Sequence, residues 1–182
     1  MTNLAPAHAM PYQIAVLCYL YDPAKRLLLL RRSKMPNKDF FSPIGGKLEI
    51  TTGESPHQCA VREIDEETGV SLRPNDVELR GIISEESYEN TNHWLIFLYE
   101  VKRKIKPDEI KNYEMDEGTL EWVDYDQVAQ SDIPETDRRI LWPLIQEHKD
   151  GFFMAHVRCD GPELEWEVTE SYRHRPPQSN HK

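Results

Sequence analysis

Four carboxylates fall within the five residues Glu63 to Glu67 of the stretch VREIDEETGV (61–70), with Glu63, Asp65, Glu66 and Glu67 separated only by Ile64. On a helix, Glu63, Glu66 and Glu67 are related by i,i+3 and i,i+4 and share one face. Each like-charge pair costs about 0.2–0.5 kcal/mol. Acids in a last helical turn lose a further ~0.3–1 kcal/mol each against the macrodipole. A solvated acidic face could carry such small penalties, so the carboxylates alone do not define a site. Their neighbours do. Gly45-Gly46-Lys47 comes before them, Glu54 stands just ahead of the helix start, and Arg62 leads directly into the cluster. A glycine turn allows close backbone approach, and its carbonyls combine with carboxylates into the oxygen ligand set that Mg²⁺ or Mn²⁺ prefers. Such an ion would relieve the repulsion and draw a polyphosphate to this chain.

Bulk charge makes that mediator necessary. The 182 residues carry 22 basic and 32 acidic side chains, a net charge of −10. Direct binding to a nucleic acid polymer or an anionic membrane is disfavoured, and a small anionic ligand needs a cation between it and the protein. With 38% apolar and 30% charged residues, the composition is that of a globular chain. Its length suits one domain. Cys18, Cys59 and Cys159 are far apart and form no CxxC pair, which fits reduced thiols used in packing. IAVLCYLY (14–21) is too short to span a bilayer, and no secretory signal is visible. The expectation is a soluble, cytoplasmic chain.

Elements must hold these groups in place. Ser55-Pro56-His57-Gln58 has the form of a capped helix start and Gly69 that of a stop, which predicts a helix over 55–68. IAVLCYLY and RLLLLRR (26–32) flank the turn DPAK and predict a hairpin. Further strands are expected at 77–88, 93–103 and 119–125, a second helix within 137–149, and a hairpin from 152–158 and 164–170. Residues 1–10 read as a loose lead, 11–172 as a single domain and 173–182 as a frayed tail.

The acidic stretch resembles the signature of the Nudix hydrolases: a glycine, then Glu, then R-E-x-x-E-E-x-G and an apolar residue. Arg62 through Val70 match its second half without a gap, and Glu54 lies eight positions before Arg62, as the family pattern requires. Seven residues, KLEITTG, separate Gly46 from Glu54 where the family usually has five, and the extra two are assigned to the loop around Ile50-Thr51-Thr52. MDEGTLEWVDYDQV (115–128) and WPLIQEHKDGFFMAHVRCDG (142–161) resemble the matching parts of MutT-type enzymes, which cleave oxidised purine nucleoside triphosphates. The resemblance implies an α/β (α+β) fold, the Nudix α/β/α sandwich with a mixed β-sheet between helices.

It also implies Mg²⁺-dependent hydrolysis of a phosphoanhydride, with Mn²⁺ as a second choice. The leading substrate is a nucleoside triphosphate, plain or oxidised, cleaved to monophosphate and pyrophosphate. Nucleotide sugars, ADP-ribose and dinucleoside polyphosphates are the alternatives. Glu85-Glu86, where a proline marks ADP-ribose branches, count against the second; Tyr88 favours the third. A Nudix-fold module that binds nucleotide without turnover is the reading of another class, and the joint presence of Arg62, Glu63, Glu66 and Glu67 speaks against it.

Carried onto this chain, the resemblance makes Glu63 and Glu67 metal ligands, with Glu66 direct or through water and Gly46 through its carbonyl. Glu117 is a further ligand or the general base, with Glu63 the other candidate base and Asp116 and Glu114 competitors of Glu117. Arg62 pairs with Glu54 or a neighbouring carboxylate. Lys47 and Arg32 are candidates for phosphate, the latter against a solvated-surface alternative. IPETDRR (133–139) falls where relatives contact the base, which offers Glu135 and Asp137, with Ile133-Pro134 in place of a stacking tryptophan. Ser42 stands where some relatives carry a base-reading asparagine. Both changes weaken an oxidised-guanine assignment. Trp94, Trp122 and Trp142 read as core residues.

Overall fold

The apolar runs become nine strands and two α-helices among the described residues. In order they are β1 (Tyr12–Tyr19), β2 (Arg26–Arg32), β3 (Phe41–Pro43), α1 (Pro56–Thr68), β4 (Val77–Tyr88), β5 (Asn92–Val101), β6 (Glu114–Met115), β7 (Gly118–Asp124), α2 (Trp142–Glu147), β8 (Gly151–Arg158) and β9 (Glu165–Arg173). The computed structural model describes residues 10–35, 37–88 and 91–173. The expected lead up to Ala9 and the expected tail beyond Arg173 lie outside the described residues, and Arg173 itself closes β9.

Two sheets form. The larger, ordered β1-β5-β4-β8-β9, is mixed: β1 and β5 are parallel, as are β4 and β8, and the other pairs are antiparallel. The smaller, β3-β2-β7-β6, is antiparallel throughout. Apolar side chains alternate between two cores. Val16, Cys18, Leu28 and Leu30 face Cys59, Ala60 and Ile64 of α1. Tyr19, Leu27, Leu29, Ile83 and Phe153 face Trp142, Leu144 and Ile145 of α2. The unbroken run RLLLL is thus a strand buried on both faces. The helix–sheet–helix layering matches the expected fold class. No helix among the described residues is long and apolar enough to cross a membrane.

One expectation is corrected. β1 and β2 are joined by the expected turn, but they belong to different sheets. Their pairing stops after Tyr21–Leu27 and the 2.9 Å bond from Leu28 N–H to the Leu20 carbonyl. The physical reason is competition for the outer edge of β1. Residues 44–48 already occupy it, through Cys18 N–H to Ile44 O (2.7 Å), Val16 N–H to Gly46 O (2.9 Å) and Leu48 N–H to Ile14 O (3.0 Å). That strip blunts an exposed edge and sets the Gly45-Gly46 turn beside α1.

Helix α1 begins and ends as its sequence dictates. Ser55 Oγ accepts from Gln58 N–H, and Gln58 Oε1 accepts from Ser55 N–H at 3.0 Å, a reciprocal capping box with Pro56 at the first position. Gly69 takes the left-handed conformation at φ 71° and donates to the Asp65 carbonyl at 2.8 Å. The second helical region, expected within 137–149, starts two residues earlier at Glu135 and passes through a wide π-type turn, Asp137–Leu141, before α2. Pro143 has no N–H with which to close a regular turn there.

Asp22 holds the crossing between the sheets. It is 1% exposed and accepts from Arg26 N–H and Nε, both at 2.8 Å, while Arg26 Nη2 lies 2.7 Å away. Asp22→Ala leaves these donors unpaired and is expected to lower unfolding stability by about 1.5–3 kcal/mol, read from urea denaturation.

Candidate active site

The face of α1 turned toward the Gly45-Gly46 strip carries Glu63 and Glu67. Glu63 lies so close to Gly46 that a Cβ there would come within 2.4 Å of Glu63 Oε1. Gly45 is equally constrained, since a Cβ would sit 2.1 Å from the Val16 carbonyl oxygen. The glycine pair is therefore required by close approach. The Gly46 carbonyl accepts from Val16 N–H at 2.9 Å and, at the longer distance of 3.9 Å, from the Cys59 thiol.

Glu67 is 8% exposed, and its Oε2 is buried without a hydrogen-bond partner. Burial first, then the negative charges of Glu63 and Glu117, push its carboxyl up to about 8; the Gly45 N–H and Arg32 pull the other way. An orphaned buried carboxylate oxygen is costly, and a dication is the partner that fits its chemistry. Burial also raises the Glu63 carboxyl, against the pull of Arg62.

Arg62 organises the remaining acids. Its Nε and Nη2 donate to the two Glu54 oxygens at 2.7 and 2.9 Å, a bidentate pair. Its Nη1 donates to Glu63 Oε1 at 2.7 Å and to Glu66 Oε2 at 2.9 Å. The guanidinium, followed by the Glu49 N–H, outweighs burial and holds Glu54 down at about 2. Both oxygens of Glu54 are therefore occupied by a permanent cation, and Glu66 remains 58% exposed at the rim. The two extra residues in the loop are absorbed locally. Ile50–Thr52 form a single tight turn closed by Gly53 N–H to Ile50 O, and Gly46 still meets Glu63.

Glu117 reaches the same space from the other sheet. Asp116 and Glu117 are the two loop residues of the β6–β7 hairpin, anchored by Ser33 N–H to the Glu117 carbonyl at 2.8 Å and Ser33 Oγ to the Asp116 carbonyl at 3.1 Å. Gly118 lets the loop press on β2, where a Cβ would lie 2.0 Å from the Arg31 carbonyl oxygen. Glu117 lines the central cavity with Glu63 and Gly46; Asp116 and Glu114 do not. Among the described residues the acids are not closed into a cage of three ligands. Glu63 and Glu117 border an open space, whereas Glu66 and the buried Glu67 are not among its lining residues; the open side suits an ion such as Mg²⁺ that keeps waters and takes substrate phosphate oxygens.

The cavity, about 510 Å³, extends from these acids to a second end. Lys47 and Arg32 also line it, and Lys47 Nζ lies 5.3 Å from the centroid of the Trp94 ring. Ser42 on β3 and Asp137 line the far end, whereas Glu135 is outside it, 68% exposed and paired with Arg139 at 2.8 Å. Trp142 and Trp122 pack, as expected. Trp94 both packs against the α2-side core and lines the cavity.

Sequence reasoning missed Glu85 as a lining residue, together with Thr136 and Asn37. Glu85 is 4% exposed on β4 and directly opposite Trp94 on β5. A signal existed: Glu85 shares parity with the inward Ile83, so strict alternation aims it at the core. Burial, then the Asp137 charge, push the Glu85 carboxyl up to about 7, and burial does the same for Asp137.

A family model described as NUDIX domain matches residues 11–142. Among similar solved structures, a MutT protein from Bacillus halodurans is 26% identical with a TM-score of 0.67, covering 86% of this chain and 97% of its own. A MutT protein from Methanosarcina mazei Go1 is 24% identical with a TM-score of 0.63, over 79% of this chain and 99% of its own. The NUDIX domain of Shewanella oneidensis NrtR, solved in complex with ADP ribose, is 19% identical with a TM-score of 0.59, over 80% of this chain and 93% of its own. At those identities the last two show a shared fold.

The buried acids set a pH dependence. Glu85 rises from 4.5 to about 7 on folding, so between those values the folded protein holds more protons than the unfolded chain. Its contribution is intact below pH 4.5 and is lost as pH rises toward 7, by on the order of 2–3 kcal/mol. Thermal melts in EDTA are expected to fall across this range, with Glu85→Gln flattening the slope.

Proposed function

The chain belongs to the NUDIX domain family as a MutT-like pyrophosphohydrolase, and we propose that it hydrolyses a nucleoside triphosphate to monophosphate and pyrophosphate with Mg²⁺. The observation that carries the metal requirement is the buried, unpartnered Glu67 Oε2 beside Glu63 and the Gly45-Gly46 turn. Glu63 and Glu67, with Glu66 at the rim and the Gly46 carbonyl, are the groups that would hold the ion. When bound, it would polarise phosphoryl oxygens and orient the attacking water.

The chain's own residues supply the rest. Arg62 fixes Glu63 against Gly46, so that the ligand oxygens are set before substrate arrives. Lys47 and Arg32, which line the same cavity as Glu63 and Glu117, offer positive charge to the phosphates. Glu117, exposed at its hairpin tip and facing the same space as Glu63, is assigned as the base that takes a proton from water. Glu63, gripped by Arg62, is better suited to hold than to move. A net charge of −10 supports a small metal-complexed nucleotide over a nucleic acid polymer.

The test is turnover of a panel of dGTP, oxidised dGTP, ADP-ribose, a nucleotide sugar and diadenosine tetraphosphate, with Mg²⁺ or EDTA and products followed by ³¹P NMR. Pyrophosphate plus a nucleoside monophosphate, formed only with Mg²⁺, is the expected outcome. Two monophosphate products from ADP-ribose or the nucleotide sugar, with triphosphates untouched, would displace the substrate assignment. Glu67→Gln is expected to lower kcat by on the order of 10²–10³ and to weaken Mg²⁺ activation, with the fold kept. Glu117→Gln is expected to lower kcat at unchanged Mg²⁺ affinity. Undiminished turnover in Glu67→Gln would remove the ligand role.

A further inference from the structure

Tyr88 reaches the cavity wall against the ordinary pattern of its strand. Glu85 and Tyr88 both line the cavity, yet residues three apart on an unbroken strand face opposite ways. The pairing of β4 with β5 explains the exception. Glu85 is opposite Trp94 and Tyr88 is opposite Asn92, so Glu86 and Ser87 together face the single residue His93. Two residues against one make a β-bulge, which turns Tyr88 back to the face that Glu85 occupies. The bulge has a conformational cost. Ser87 is left-handed at φ 59°, a region that a residue with a Cβ seldom adopts, and it is buried. Its N–H is taken up by a side chain, donating to Nδ1 of the His93 ring at 3.1 Å.

We propose that His93 is a positioning residue: through the Ser87 N–H it holds the bulge that aims Tyr88 into the cavity, and only while its ring is neutral. This rests on the reading above that makes the cavity the nucleotide site. Nδ1 accepts a hydrogen bond only in the neutral ring with its proton on Nε2. The imidazolium carries N–H at both nitrogens and sets donor against donor. The buried Ser87 N–H then lacks an acceptor, and the left-handed residue lacks its compensation. The groups around the ring come from β1 and β4. Tyr12 packs on it with ring centroids 5.1 Å apart, and the His93 backbone N–H donates to the Pro11 carbonyl at 3.0 Å. Among the described residues no charged side chain is hydrogen-bonded or ion-paired to the ring. The neighbouring acid of β4, Glu86, lies 3.5 Å from His156 instead. Protonation of His93 is therefore not tied to a carboxylate partner.

The test uses the full chain and three variants. His93→Phe keeps a ring against Tyr12 without the acceptor, His93→Asn places a carbonyl oxygen near the Nδ1 position and does not titrate, and Tyr88→Ala removes the side chain being aimed. NMR without ligand reads the latch. The wild-type Ser87 amide is expected to be protected from solvent exchange at about pH 8 and to lose that protection, beyond the intrinsic change in rate, toward about pH 5, the range in which histidine ordinarily changes charge. His93→Phe is expected to lack the protection throughout, and His93→Asn to keep it throughout. With Mg²⁺, His93→Phe is expected to raise KM for dGTP by about three- to tenfold, more than it lowers kcat. Tyr88→Ala is expected to raise KM by a similar factor and the double variant no further, because both act through one contact. His93→Asn is expected to keep the wild-type KM. A histidine that only steadies the hairpin would lower the melting temperature in His93→Phe with KM unchanged, or would multiply with Tyr88→Ala; either result overturns the proposal, as does a Ser87 amide indifferent to His93. Should His93→Phe fail to fold, the wild-type amide over the same pH range decides. If dGTP is cleaved without this KM pattern, the latch falls and the catalytic reading stands. If no triphosphate is cleaved while the Ser87 amide follows His93 as stated, the latch stands and the catalytic reading falls.

Discussion

A buried carboxylate with an unmatched oxygen is the constraint on which the site turns. Glu67 is on the inner face of α1 rather than in water because Cys59, Ala60 and Ile64 commit that face to the core. Hydrophobic burial of those side chains, about 1.5–3 kcal/mol for a residue of the size of isoleucine, is enough to carry a charged neighbour inward. The helix caps then fix its rotation, and the Gly45-Gly46 strip closes over Glu63. The strip can lie there because β2 has left β1 for the second sheet. Asp22, which holds that crossing, thus acts on the acid cluster at a distance, through the availability of one strand edge.

Arg62 divides the acids by what they can do. It neutralises Glu54 through both oxygens and orients one oxygen each of Glu63 and Glu66, but it does not reach Glu67. A single guanidinium matches the geometry of several carboxylates at once, which an ammonium could not do. The outcome is a graded set: Glu54 fully paired, Glu63 half paired, Glu67 unpaired on its inner oxygen. Glu54, Glu63 and Glu67 are similarly shielded, at 9%, 13% and 8% exposure, and differ in how far Arg62 compensates them. That gradient points the cluster toward the cavity and gives a cation its strongest attraction at Glu67, which Arg62 does not reach.

Much of this was legible in the chain, and for local reasons. Ser55, Gln58 and Gly69 bound α1 through contacts within four residues, so the helix and the face shared by Glu63 and Glu67 follow from spacing alone. Glu54 and Arg62 are one hydrogen-bonded pair across the helix start, again local. The β1–β2 hairpin was misjudged because the competitor for the β1 edge, residues 44–48, is distant in sequence and reads as a loop. Glu135 and Asp137 looked alike as candidates, yet the helical turn sends one to Arg139 and the other into the cavity. Glu85 was hidden for a different reason. Its alternation with Ile83 placed it inward, but a charged residue at an inward strand position carries no meaning until the tertiary fold lines one cavity with it and Asp137.

The two ends of the cavity share a single electrostatic logic. Both are acidic, and both hold carboxyls pushed toward the neutral form by burial. They differ in their surroundings. Glu63 and Glu117 border an open space beside Gly46, with Glu67 buried next to them, which favours a small, hard dication; Glu85 and Asp137 line the same cavity with Trp94. Lys47 and Arg32, of the opposite sign, line the same cavity. A cavity lined by both carboxyls and cationic side chains is complementary to a metal ion together with the phosphates it binds. An empty pocket of this pattern is destabilised at both ends and filled by one ligand with its ion. Stability and recognition are therefore coupled through the same four carboxyl groups, and removing any one of them should move both.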